Sequence, residues 1–371
     1  MNARRSAVTA IALLALTSVS ACGSPPSKSN ANDSEAAGAK SAADLGGMDK
    51  LIAAAKKEGT LNVIALPPDW ANYGAIIKAF SDKYGIKVNS AQPDAASQDE
   101  INAAKQQKGR PTAPDVFDLG QAVALANTDL YAPYKVADFD KVPAAFKDAD
   151  GTWVNDYGGY MSIGYDSKKV PDVTSLADLL KPAYKGKVAL NGDPTQAGAA
   201  FAGVVMASVN NGGSADDIAP GVEFFSKLKK AGNFLPVDPT PATIEAGQTP
   251  VVLDWDYTNA AETAKLPSWK VVVPGDQPVG GYYYQAISKD APHPAAARLW
   301  EEFLYSADGQ NLFLAGGARP VLADQMKTDG TLDETAFGKL PPVNGTPVLL
   351  TPEQNTTAAG YLAKNWANAI K

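Results

Sequence analysis

The stretch Gly280-Gly281-Tyr282-Tyr283-Tyr284-Gln285-Ala286-Ile287-Ser288-Lys289 decides how the rest of the chain is read. It emerges from Pro274-Gly275-Asp276-Gln277-Pro278, a turn-rich segment. Its aromatic content predicts a strand. Side chains alternate along a strand, so Tyr282 and Tyr284 share one face and Tyr283 takes the other. In the run that follows, Ala296, Leu299, Trp300, Phe303 and Leu304 keep helical spacing. We expect this strand to cross between two lobes and line a cleft. Tyr282 or Tyr284 would then reach the cleft, and Tyr283 would pack inward.

Upstream, strand and helix patterns alternate. Thr60–Leu66, Ile86–Ala91 and Asp115–Leu119 read as strands, with helices between them. Ser97 and Glu100 have capping-box spacing for one of those helices. This order predicts a mostly parallel sheet flanked by helices in each lobe, an α/β fold whose ligands sit beyond the strands' carboxyl ends. Trp153, Tyr157, Tyr160 and Tyr165 surround Gly158-Gly159 and mark a first crossing. A second alternation follows from 187 to 273. The expected division is 45–156 plus 282–315 for lobe 1 and 157–281 plus 316–371 for lobe 2.

The first 21 residues carry Arg4 and Arg5, an apolar run and small residues before Cys22, the pattern of a secretory signal. Residues 22–44 hold almost no large apolar side chains and are expected to form a flexible tether. The chain has 371 residues, a net charge of -7, one Cys and one His. That charge disfavours nucleic acid as a partner. One Cys excludes an internal disulfide, and one His excludes a multi-His metal site. His293, between two prolines, reads as a solvated loop residue. No cofactor is expected.

Four stretches carry a resemblance: Leu51–Leu61, Pro114–Gly120, Gly247–Tyr257 and Ile287–Gly317. Together they resemble the extracellular solute-binding proteins of ABC importers, in the type II branch that includes ferric, polyamine, thiamine and phosphonate binders. Val19-Ser20-Ala21-Cys22 resembles the lipobox of bacterial lipoproteins. The resemblance implies lipidation at Cys22, a monomer anchored outside the cytoplasm, lobe closure on a small solute, delivery to permease subunits, and no catalysis.

Several residues are candidates for ligand contact. Asp69 and Trp70 follow the first strand, and Asp118 ends the third. Tyr157, Tyr160, Tyr282 and Tyr284 lie on the crossings. Asp254, Trp255, Asp256 and Tyr257 end a buried strand. The two aspartates are open to three readings: ligand contact, helix capping or an acid/base pair. Thr195 and Gln196 precede a helix whose start either meets an anionic group or is simply capped. Aromatics with carboxylates suit an amine, or a zwitterion with its acid end at Thr195. The contiguous tyrosines keep ferric ion as an alternative. A hydrolase using Asp254 and Asp256, and a non-transport sensor, are the others.

Overall fold

A computed structural model describes residues 31–371, with side chains described from residue 35 onward. The signal segment, Cys22 and the first part of the expected tether lie outside the described residues.

Ten strands are assigned in chain order: β1 (Thr60–Ile64), β2 (Lys87–Ala91), β3 (Val116–Leu119), β4 (Tyr131–Ala132), β5 (Val154–Asp166), β6 (Val188–Leu190), β7 (Val251–Trp255), β8 (Trp269–Val272), β9 (Gly280–Ser288) and β10 (Arg319–Pro320). Among the named strands the parallel pairing expected from the sequence is found in β1–β2 and β6–β7. The long strands run antiparallel to their neighbours. β5 pairs through its first half with β9 and β10, and through its second half with β7 and β8. It is therefore the strand that carries the backbone from one half of the molecule to the other. β9 lies beside that first half and pairs with β3 and β4 at its far end. Within the second alternation, Phe234 contributes a single parallel bridge, to Val188.

The helices follow from spacing. Tyr73, Ile76 and Phe80 bury one face of Tyr73–Tyr84, which stops at Gly85 in the left-handed conformation. In Pro294–Leu304 every residue is buried, including Arg298. That guanidinium is satisfied by carbonyls: Nε donates to Ala39 O and Nη2 to Ala37 O, both at 2.8 Å. Residues 35–45 are therefore docked on the folded body. The expectation of a free tether through residue 44 is corrected, because small buried alanines (Ala36, Ala39) and exposed carbonyls were enough to seat the segment.

The two halves meet where β3 and β6 lead into their loops. A Cβ on Gly120 would lie 2.8 Å from Gly198 Cα, so this approach needs glycine on both sides. The C-terminal helix Pro352–Ala369 straddles the junction, against the expectation that the tail packs only on lobe 2. Asn355 Nδ2 donates to Gln121 Oε1 at 2.9 Å on one side, and Trp366 meets Phe225 edge-on at 5.2 Å on the other. Among the described residues no helix is long and apolar enough to cross a membrane.

Candidate functional site

The chain's carboxyl-end loops bring one aromatic and acidic cluster together between the halves. Trp70 arrives on the loop after β1, Asp118 at the end of β3, and Tyr157 from β5. Trp255 and Tyr257 come from the end of β7, and Tyr283 comes from β9. Four rings close a circuit. Trp70 meets Tyr257 and Tyr283, each at 5.7 Å between centroids. Trp255 meets the same two at 6.4 and 6.3 Å. Tyr157 adds a stacked contact with Tyr283 at 5.3 Å.

Asp118 lies against this aromatic wall. Trp70 Nε1 donates to Tyr157 Oη at 2.7 Å, and Tyr157 Oη donates to Asp118 Oδ2 at 2.9 Å. Asp118 Oδ1 and Tyr257 Oη are buried without a partner. Burial pushes the Asp118 carboxyl up to about 7, against the pull of the Tyr157 and Tyr73 hydroxyls. The backbone at this point is held from behind. Glu100 accepts Asp118 N–H and Ser97 Oγ accepts Gly120 N–H. The expected Ser97/Glu100 capping box is thus replaced. The helix starts at Ser97, Asp99 accepts Ala96 N–H, and both expected cap residues brace the β3 loop instead.

The structure separates the remaining candidates. Asp254 Oδ1 accepts Trp255 N–H and its Oδ2 accepts from Asn191 Nδ2 at 2.9 Å. Burial raises its carboxyl to about 7, against those two hydrogen bonds. Asp256 accepts N–H groups from Tyr160 and Tyr257 and pairs with Arg319 Nη2 at 3.2 Å. Every oxygen of the two aspartates is committed to structure, which opposes the acid/base reading. Tyr160 lies under the Arg319 guanidinium at 5.1 Å. Asp69 is exposed and faces Lys265 at 3.6 Å across the mouth of the junction.

Thr195 donates its N–H and hydroxyl to Asp193 Oδ1. A carboxylate therefore stands where an anionic group had been expected to bind. Thr195, Gln196, Trp255 and Tyr282 line a cavity beside the cluster. Tyr284 instead packs on Trp153 at 4.6 Å, in the core behind β9. The expected facing of β9 is thus met only in part: Tyr282 lines the cavity, but Tyr283 joins the cluster as well and Tyr284 faces core. Gln285 shares the face of Tyr283, and a polar residue there was the available sign that this face is not plain core. Gly281, also on that face, leaves room for Trp255, whose ring would be 2.8 Å from a Cβ.

Sequence reasoning also missed a layer behind Asp118. Gln285 Nε2 donates to Tyr73 Oη at 2.9 Å and to Asp156 Oδ2 at 3.0 Å. Burial first, and then the neighbouring Asp118, raise the Asp156 carboxyl well above its ordinary range. Among the described residues no group of three or more His, Cys, Asp or Glu side chains is placed to hold a metal ion.

Comparison with known proteins gives a consistent result. The sequence model of a family described as bacterial extracellular solute-binding protein matches residues 114–338. Solved structures share the fold. The binding protein AgtB of A. tumefaciens R10, in complex with agropinic acid, is 15% identical with a TM-score of 0.66, over 84% of this chain and 98% of that one. AfuA of Actinobacillus pleuropneumoniae, bound to fructose-6-phosphate, is 17% identical with a TM-score of 0.64, over 84% and 98%. Iron-bound HitA of Pseudomonas aeruginosa is 20% identical with a TM-score of 0.61, over 84% and 99%.

Proposed function

Because the chain belongs to the bacterial extracellular solute-binding proteins, we propose that it is a receptor that captures an amine-bearing solute between its lobes for an ABC importer. Its fold is the two-lobed type II arrangement of the periplasmic binding proteins. Among the solved relatives AgtB is in complex with agropinic acid, AfuA with fructose-6-phosphate and HitA with iron. Delivery to permease subunits and anchoring through lipid on Cys22 complete the reading, with the body held outside the cytoplasm as a monomer. The division into lobes at 45–156 plus 282–315 and 157–281 plus 316–371 is part of the same proposal.

One observation carries the choice of ligand. Asp118 is buried among Trp and Tyr rings with one oxygen unpartnered. An ammonium group would satisfy that oxygen with a charge-assisted hydrogen bond and would rest on electron-rich ring faces. A cation would also favour the ionised carboxylate that burial now disfavours. The cluster draws rings from both halves, so parting the lobes opens it and closing them desolvates what lies inside. The zwitterionic form is weakened by Asp193, which occupies the donors of Thr195.

Ferric ion is the second reading. It is favoured by the unpartnered Tyr257 hydroxyl close to Asp118 and the other phenols. A thermal-shift panel of primary amines, tetramethylammonium, spermidine, aminoethylphosphonate and ferric citrate separates the two. We expect amines to raise the melting temperature. A ligand at a hundred times its Kd adds about 2.7 kcal/mol. We also expect Asp118→Asn to abolish that rise. A response to ferric salt alone, with a visible phenolate band, would replace the amine reading by iron. No response to any probe, together with no retained solute by native mass spectrometry, would sink the receptor reading and leave the sensor.

A further inference from the structure

A cavity of about 90 Å³ adjoins the aromatic cluster and runs beneath the C-terminal helix. Trp255 and Tyr283 belong to both, so the two spaces share a wall. Beyond that wall the lining turns aliphatic, with Ala122, Val123, Val205 and Ala359. No charged side chain lines it among the described residues. At its far side Asn355 is buried with Oδ1 unpartnered, while its Nδ2 is engaged by Gln121.

We propose that this cavity receives an uncharged aliphatic arm of the solute, so that the protein selects amines by what they carry behind the ammonium group. The proposal rests on the amine reading above and adds to it. With the lobes parted around Trp255 and Tyr283, the adjacency of the two spaces gives the order of parts in this proposal: ammonium at Asp118, carbon chain along Trp255 and Tyr283, chain end toward Asn355. A second ammonium at the end of the arm would be buried without a counter-charge, which the lining disfavours. A neutral N–H or hydroxyl there would instead satisfy Asn355 Oδ1. Helix Pro352–Ala369 is then a wall of the site as well as a brace across the lobes.

The test is a calorimetric series on the purified protein, from n-propylamine to n-octylamine. Apolar burial predicts affinity rising about fourfold per methylene until the cavity is full. Ala359 is half-buried on the inner side of the C-terminal helix, so Ala359→Phe fills the cavity from a position where the helix still forms. That variant should flatten the series. Tyr361→Ala, on the exposed side of the same helix and outside the cavity, should keep the slope. 1,8-Diaminooctane should bind more weakly than n-octylamine.

If amines bind with no dependence on length, or the Ala359→Phe series keeps its slope, the arm does not lie here, although the amine reading stands. If the diamine binds as tightly as the monoamine, the uncharged-arm requirement is overturned. If no amine of any length binds, the amine reading itself fails.

Discussion

Strand β3 is flanked by one buried aspartate and carries another, and the fold treats them in opposite ways. Asp115, just before the strand, is surrounded by donors. Its Oδ1 accepts His293 N–H at 2.7 Å; its Oδ2 accepts Asn62 N–H at 2.7 Å and faces His293 Nδ1 at 2.9 Å. Asp118, near the cleft end, accepts the Tyr157 hydroxyl on Oδ2 and feels the Tyr73 hydroxyl nearby, while its Oδ1 has no hydrogen-bond partner among the described residues. Both are buried and both have raised pKa values for the same first reason, desolvation. The difference lies in what compensates the burial. At Asp115 the compensation is built into the chain. At Asp118 it is incomplete, and on the proposed reading a cation from outside completes it. Burial alone therefore does not mark a functional carboxylate, and neither does an unfilled acceptor alone, since Glu262 Oε2 and Glu301 Oε1 are also unpartnered; Asp118 is set apart by its place in the aromatic cluster between the halves.

The largest expected effect tests the compensated end. Asp115→Ala removes the partner of a half-buried histidine and strips two backbone N–H groups at once. Loss of one member of a buried pair costs about 3–5 kcal/mol. The unfolding free energy from urea titration should fall by about that amount, with amine affinity nearly unchanged. A loss under about 1 kcal/mol would mean that Asp115 is not the structural half of the comparison. His293 belongs to this end too. Burial opposes its protonation, but the Asp115 carboxylate outweighs burial and holds the ring above its ordinary pKa. The single histidine is a half-buried cap of the helix start, not the solvated loop residue its flanking prolines suggested.

The next effect tests the open end, and here the sign is reversed. Asp118 titrates near 7 in the folded chain and near 3.9 when unfolded. The folded state holds its proton longer, so this group's contribution to stability falls as pH rises from about 4 to about 7. Asp118→Asn should therefore be more stable than the parent at pH 8, by up to about 4 kcal/mol, and no more stable at pH 4. Melting curves at the two pH values check it. The same proton governs binding. A quaternary ammonium keeps its charge at every pH, so its affinity should weaken about tenfold per unit below pH 7. A pH-independent affinity would place the cation elsewhere.

What was legible in the chain follows the same division. Periodicity and strand alternation located most elements, and the pattern of loops after β1, β3 and β7 pointed to Trp70, Asp118, Trp255 and Tyr257. These are signals that a one-dimensional pattern carries, because a strand's carboxyl end faces the cleft whatever its partners are. The rest depended on partners far away in sequence. Whether Asp256 meets solute or Arg319 is decided by a residue 63 positions away. Whether Thr195 is free is decided by Asp193, whose turn was not foreseen. The alternation of Tyr282–Tyr284 was read correctly, but alternation does not say which face is core. Gln285 held that information, since a buried amide on a face implies a polar network there. The docking of residues 35–45 had no local signal, because its anchor is Arg298, more than 250 residues on.

The smallest expected effect sharpens the comparison within the cleft itself, between two phenols. Tyr157 hydroxyl is used twice, donating to Asp118 and accepting from Trp70. Tyr257 hydroxyl is buried and has no hydrogen-bond partner among the described residues. Removing a made hydrogen bond and removing an unmade one are different operations. Tyr157→Phe removes the hydrogen bond on Asp118 Oδ2 and the acceptor of Trp70 Nε1, and should cost about 1–2 kcal/mol of stability. Tyr257→Phe discards an unpaired polar atom while keeping the ring against Trp70 and Trp255, so stability should hold within about 0.5 kcal/mol. Amine affinity should fall less than about threefold, since the ring face and Asp118 remain. A large loss of affinity in Tyr257→Phe would show that its oxygen meets the ligand directly. That would shift the site from a ring-lined amine pocket toward phenolate coordination of a metal ion.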